Sequence, residues 1–272
     1  PMSDSACPPA MRELHRQRRF ATFRSVMALM LREMSTTYGR SPVGYLWAVL
    51  QPVAGIILLT LVFSLFLRWP PIGKSFMMFY ATGIIPFLFY TEISMKLATS
   101  VQFSRQLLAY PSVTVVDALL ARFVLNVMTQ FLVAFILFGA FMMIDETDAA
   151  VDFPAVALGF AMAAALALGI GVMNAFLFGV SQEWKQIWQV LNRPMFIISC
   201  VIFLFDDVPE PFRSYLWYNP LVHVIGQIRH GFYPFYGAPY VSPAYVFGLS
   251  LVLLAFGLLF LLRFALYILN EA

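Results

Sequence analysis

LREMSTTYGRSPVGYLWAVLQP, Leu31–Pro52, is the stretch that decides the fold, and an apolar run continues it to Leu67. Before it the chain is basic and amphipathic. It breaks at Gly39–Pro42, a pairing that interrupts helices, and then enters Val43–Leu67, which holds no charge. As a helix that segment is about 37 Å long, enough to cross a bilayer with tilt. Tyr45 and Trp47 stand at its entrance, where amphipathic rings settle at the headgroups. The break therefore divides a helix that lies on a membrane from one that crosses it.

Working back from the break, Phe20, Phe23, Met27, Met30 and Met34 fall on one helical stripe, and Arg12, Arg16 and Arg19 on another. That pattern predicts a helix in the membrane interface. It serves either as a surface anchor using positive charge or as a lever touching a cytoplasmic partner. Residues 1–10 are polar and proline-rich and read as a tail, so 1–40 forms one cytoplasmic unit. These residues are too charged for a signal-peptide core, and Val43–Leu67 is read as a retained span.

Working forward, the chain is 61% hydrophobic and only 11% charged over 272 residues. A soluble domain of this size could not bury so much apolar surface. The predicted fold is all-α and polytopic. Residues 41–272 carry six spans, at about 43–67, 77–97, 118–143, 153–180, 187–205 and 244–269. Between the last two, 206–243 is rich in Trp, Tyr, Pro and Gly. Its segments Phe212–Tyr218 and Leu221–Phe232 are too short to span. They read as re-entrant half-helices, which need protein or water over their ends.

Orientation follows from basic residues. Of the 17 Lys and Arg, seven precede residue 41, three lie at 96–122, two at 181–193 and one at Arg263, all on the inner side. Arg68, Lys74, Arg213 and Arg229 fall outside. Both termini are then cytoplasmic.

Little in the chain points to catalysis. Gly73-Lys74-Ser75 resembles the end of a phosphate-binding loop, but the earlier glycine that motif requires is Arg68, so the motif is rejected. No catalytic triad is visible, and His223 and His230 lack a third ligand at metal-binding spacing. Cys7 and Cys200 are read as unpaired. Glu92 and Lys96 share a helical face and are expected to pair. Arg122, Asn126 and Gln130 also share a face, which turns to other helices or a water-lined cavity. Ala157, Ala161, Ala165 and Gly169, with Gly171, Ala175 and Gly179, predict close helix packing.

Four stretches together resemble the permease subunit of type-2 ABC exporters, most closely those of capsular polysaccharide in Gram-negative bacteria. They are Leu31–Pro52, GIIPFLFY at Gly83–Tyr90, YPSVTVVDALLAR at Tyr110–Arg122, and Asn192–Phe203 with SYLWYNPLVHVI at Ser214–Ile225. The resemblance covers about residues 28–268. It implies a homodimer in the inner membrane with two separate cytoplasmic ATPase subunits. MgATP sits on those partners, and no cofactor is bound by this chain. It also implies a periplasmic co-polymerase, an outer-membrane exporter, and a lipid-linked polysaccharide as cargo. By the same analogy, Gln102, Phe103, Ser104, Arg105 and Gln106, with Arg32 and Glu33 of the interface helix, couple to the ATPase. Tyr45, Trp47, Trp217, Tyr218, Arg122 and Asn126 are the expected channel residues. Exporters of O-antigen or teichoic-acid polymers share this architecture, and a secondary transporter is the reading from another class.

Overall fold

The computed structural model describes residues 21–33, 43–103, 114–144 and 151–264. In order these form α1 (Ala21–Glu33), α2 (Val43–Phe66), α3 (Phe76–Ala98), α4 (Val115–Ile144) and α5 (Phe153–Val180). Then follow α6 (Gln182–Ile198), a 3-10 turn at Phe205–Asp207, α7 (Phe212–Trp217), α8 (Pro220–Phe232) and α9 (Pro243–Arg263). A further helical turn begins at Ser100 and is described to Phe103. No strand occurs among the described residues. Among the described residues five helices, α2 through α5 and α9, are long and apolar enough to cross a membrane.

The helix starts follow local chemistry. Ser75 caps α3 by accepting from the Met78 amide at 3.3 Å. The Gly73-Lys74-Ser75 triplet is therefore a turn, with Gly73 at φ +77°, followed by a helix cap. Thr114 Oγ1 accepts from the Asp117 amide at 3.1 Å while Asp117 Oδ2 accepts from the Thr114 amide at 3.1 Å. This reciprocal pair is a capping box, and it starts α4 three residues before the predicted boundary. Asp152, Ser181, Asn219 and Ser242 cap α5, α6, α8 and α9, each side chain accepting one backbone N–H.

The expected span 187–205 differs most. One helix, α6, starts inside the expected loop at Gln182 and ends at Ile198. Glu183, Lys185, Gln186 and Gln189 make its first turns polar, so it is amphipathic where the other long helices are apolar. The chain leaves the helix through Ser199 and Cys200, whose φ is +59°. A left-handed residue just past the cap is a common helix stop. Residues 199–204 are irregular.

Helix α5 is the centre of the packing. It contacts α9, α3 and α8 on separate sides, and α3 in turn contacts α2, α4 and α8. A Cβ on Gly169 would sit 2.5 Å from the Ser250 carbonyl oxygen of α9, and one on Gly171 2.7 Å from Leu97 Cβ of α3. A Cβ on Gly159 would lie 2.4 Å from Ile228 of α8. The small residues do permit close approach, but toward three neighbours instead of one. Ala157 and Ala161 of the predicted stripe are exposed. A Gly169→Leu variant is expected to lower the yield and thermal midpoint of the purified chain, at the overpacking cost of roughly 1–3 kcal/mol. Gly55→Leu, where a Cβ meets nothing within 4 Å, is the matched control in the same melt.

Candidate functional site

Two polar assemblies stand out in this apolar molecule, and they lie at opposite ends of α3. Phe79 belongs to one and Lys96 to the other, a separation of about 25 Å along the helix.

At the Lys96 end the centre is Arg122 of α4. It is buried, and so is Glu33 at the last turn of α1. Arg122 Nε lies 2.9 Å from Glu33 Oε1, an ion pair by distance. Arg122 Nη1 donates to the Lys96 carbonyl at 2.9 Å and to Thr99 Oγ1 at 3.3 Å. The guanidinium also lies 4.1 Å from the centroid of the Phe103 ring, and Arg32 of α1 reaches 5.9 Å from the same ring. Gln102 Nε2 donates to the Phe178 carbonyl of α5 at 3.3 Å. Asn126 Nδ2 donates to the Arg122 carbonyl at 2.7 Å within α4. An arginine is suited to this work because its planar fork satisfies a carboxylate, a carbonyl and a ring face together. One side chain thus ties α1, the end of α3, the turn after it and α4. Glu92 and Lys96, expected to pair, form no ion pair among the described residues.

At the Phe79 end, α7, α8 and the loops around them form a cap. Trp217 Nε1 donates to the Tyr240 carbonyl at 3.1 Å, and Tyr245 Oη donates to the Tyr218 carbonyl at 2.7 Å. The Trp217 ring stacks on Tyr245 at 5.3 Å and meets His223 edge-on at 5.1 Å. His223 Nδ1 accepts from the Ser242 amide at 3.1 Å, so Nε2 carries the proton and donates to the Trp217 carbonyl at 2.8 Å. His230 Nδ1 lies 2.8 Å from the Tyr236 carbonyl. Both histidines are thus engaged with backbone of the cap.

The sequence reading missed Arg229, which is 1% exposed. It donates through Nη1 to the Phe203 carbonyl at 2.9 Å and through Nη2 to the Val201 carbonyl at 2.8 Å. Its guanidinium sits 4.5 Å from the Phe79 ring centroid. The clue in sequence was a basic residue within the apolar run of α8. What could not be read was that the irregular segment after α6 folds back and offers its carbonyls. Gly83 of α3 shares this contact, since a Cβ there would lie 2.6 Å from the Val201 oxygen.

The expected coupling set is partly visible. Arg32, Glu33, Gln102 and Phe103 come together at one end. Ser104, Arg105 and Gln106 lie outside the described residues. Of the expected channel set, Arg122 and Asn126 are buried in the first assembly, whereas Trp217 and Tyr218 belong to the second. Trp47 is 61% exposed on α2. Tyr45 lies in α2 with its side chain outside the description. Within a single chain, Trp217 and Tyr218 thus belong to a different assembly from Arg122 and Asn126.

Sequence comparisons agree with this architecture. The family profile described as "ABC-2 type transporter" matches residues 24–233. The chain is 31% identical over 234 residues to the polysialic acid transport protein KpsM of Escherichia coli, covering 86% of this chain and 91% of that protein. It is 25% identical over 259 residues to the capsule polysaccharide export inner-membrane protein CtrC of Neisseria meningitidis serogroup A, covering 94% and 98%. Against the capsule polysaccharide export inner-membrane protein BexB of Haemophilus influenzae it is 24% identical over 243 residues, covering 89% and 91%.

Proposed function

Since the chain belongs to the ABC-2 type transporter family, we propose that it is the permease subunit of an ATP-driven exporter of lipid-linked capsular polysaccharide. Two copies form the translocation unit in the inner membrane, each crossing six times. The crossings are the five long apolar helices together with α6 and the segment after it. Both termini face the cytoplasm, and α7 and α8 dip back into the outer leaflet. MgATP is bound by a separate pair of cytoplasmic subunits. A periplasmic co-polymerase and an outer-membrane exporter carry the polymer onward. The cargo is inferred from the capsule-export relatives, whose matches run over nearly their whole lengths.

One observation carries the ATP-driven reading: the buried Glu33–Arg122 pair with Phe103 against it. The turn that begins at Ser100 lies at the cytoplasmic end of α3 in the proposed orientation. A partner pressing on that turn moves Phe103. Phe103 is held to Arg122, and Arg122 is held to α1 and α4, so the push reaches two helices at once. An ion pair buried in apolar surroundings strongly resists separation, which suits a joint that must transmit displacement.

Tagged purification of the chain from native membranes is expected to bring down a nucleotide-binding subunit with vanadate-sensitive ATP hydrolysis. Deleting the chain is expected to remove capsule from the cell surface. In a Phe103→Ala or Arg105→Glu variant, coupling of hydrolysis to export is expected to fall while the chain still reaches the membrane. A chain that purifies alone and transports on a proton gradient would overturn the reading in favour of a secondary transporter. An intact capsule with loss of another surface polymer would reassign the cargo.

A further inference from the structure

Glu183, Gln186, Gln189 and Arg193 of α6 are all exposed. At helical spacing they fall on one face, within about a third of the circumference. Trp184 and Trp188 lie on the opposite side, where Trp184 Nε1 donates to Asn174 Oδ1 of α5 at 3.0 Å. The polar face of α6 therefore turns away from α5.

Contacts with two neighbours set the depth of Arg193. The Phe196 ring meets Phe87 of α3 edge-on at 5.3 Å, and Phe87 has eleven residues of α3 on either side. Arg193 lies one turn before Phe196, about 4.5 Å along the helix. On α5, Trp184 bonds Asn174, and Trp188 lines one small cavity with Ile170, so α5 and α6 run antiparallel. Continuing that count sets Arg193 level with Ala165, within two residues of the middle of α5. Both routes place it near the centre of the bilayer. Either headgroup layer is then roughly 15 Å away, beyond the reach of a snorkelling side chain.

Arg193 makes no ion pair and no hydrogen bond among the described residues. Arg122 and Arg229, by contrast, are buried and bonded to protein. An exposed guanidinium facing lipid tails at this depth is costly, and charges within a membrane instead border water-filled paths. Gln186 and Gln189 continue the polar face toward the start of α6, whereas Ile197, one turn beyond Arg193, is apolar and 54% exposed. Arg193 is thus the innermost group of a polar track. A guanidinium offers five donors and no acceptor, and its fork matches carboxylate or phosphate oxygens. Apolar surroundings strengthen that attraction. We propose that Arg193 is the oxyanion-binding residue of the translocation path, taking the carboxylate or phosphate groups of an anionic polymer as they pass. The proposal rests on the reading of α6 as a crossing of an exporter permease.

The first measurement needs neither cargo nor ATP. In a Cys7→Ser background, a membrane-impermeant sulfonate thiosulfonate is applied to both faces of native membranes. Arg193→Cys and Gln189→Cys are expected to label as fast as Gln186→Cys. Leu132→Cys, at an exposed apolar position of α4, is expected to stay unlabelled. The second measurement uses the chain purified with its nucleotide-binding partner. Its probes are an oligogalacturonate, a maltooligosaccharide of equal length, and that neutral oligomer bearing a terminal phosphate. Arg193→Gln is expected to weaken binding of the acidic probes roughly tenfold and to leave the neutral one unchanged, while Arg193→Lys retains most of the affinity. Stronger binding of the uronate assigns the oxyanion to the repeating sugars, and stronger binding of the phosphate assigns it to the lipid-linked end. Equal binding of neutral and acidic probes, or an Arg193→Gln variant that binds like the parent, would overturn the proposal. So would Arg193→Cys labelled only by a lipid-soluble reagent, or Arg193→Cys copies that pair as a disulfide and resist the reagent, which would make this face a seam between two copies. Loss of the nucleotide-binding partner would sink the exporter reading alone, because the labelling result does not depend on it.

Discussion

Glu33→Leu alone or Arg122→Met alone is expected to cost the folded protein about 3–5 kcal/mol, and the two together far less. The expectation follows from what each substitution leaves behind. Both side chains are buried, and the pair is 2.9 Å apart. Removing Glu33 strands a guanidinium among apolar neighbours, with the Lys96 carbonyl and Thr99 hydroxyl as its remaining polar partners. Removing Arg122 takes the buried Glu33 carboxylate's ion-pair partner away and leaves the Lys96 carbonyl to the Thr99 hydroxyl at 3.3 Å. Removing both leaves an apolar contact between α1 and α4 with no buried charge, and the Lys96 carbonyl keeps the Thr99 hydroxyl as a donor. Unfolding midpoints of the four proteins in detergent give the coupling energy directly. A double variant as unstable as the single ones would show that the pair is not the source of the effect. The functional half of the prediction separates stability from transmission. The double variant is expected to assemble and hydrolyse ATP with its partner yet export poorly, because the joint then slides. Full export in that variant would remove Arg122 from the coupling path.

Arg229→Met is the second large effect, and it acts at the other end of the molecule. The methionine fills much of the volume, so the loss comes from the Val201 and Phe203 carbonyls, which lose charged donors in a buried setting. Hydrogen bonds to a charged group contribute roughly 1.5–3 kcal/mol each. Ser199 and Cys200 still bond back to α6, but residues 201–204 beyond them are irregular. That stretch is therefore expected to detach from α3 and α8 while the long helices stay folded. Cys200 reports on this, because its thiol is buried and free. In a Cys7→Ser background, maleimide labelling of Cys200 is expected to be slow in the parent and about a hundredfold faster in Arg229→Met, the factor that two such bonds give at the lower bound. Lys74→Met, a change at an exposed residue, serves as control. Slow labelling in Arg229→Met would show that the segment is held by packing and not by the arginine.

Much of the fold could be read from hydropathy, and for a physical reason. A helix surrounded by hydrocarbon must satisfy its backbone internally and present apolar side chains, so each span writes its own length into the sequence. The predicted 153–180 became α5 with the same ends, and 77–97 became α3 to within a residue at each end. Two short helices, α7 and α8, lie where segments too short to span were expected between Phe212 and Phe232. Helix α6 starts within the expected loop because its first turns are polar on one side, and a polar start carries no hydropathy signal.

The candidate site was legible only as a list of residue types. Arg122 and Glu33 are both visible as charges near apolar runs, but nothing in their spacing pairs residues nearly ninety positions apart. Arg122 was grouped with Asn126 by helical periodicity, which is correct locally, since Asn126 bonds back to the Arg122 carbonyl. The tertiary fold alone decided that the guanidinium points to α1 and Phe103. Arg229 shows the same limit. Its position in α8 is local information, whereas its partners are carbonyls of an irregular segment whose path depends on where α6 stops.

The sequence by itself determined that this is an all-helical membrane chain, where its long spans run, and which family it belongs to. Those properties rest on composition and period, which each helix carries independently of the others. The tertiary structure alone decided which buried charge meets which partner and which glycines face which helix. Such contacts join distant segments, and their geometry is set by how apolar surfaces of similar character sort against one another.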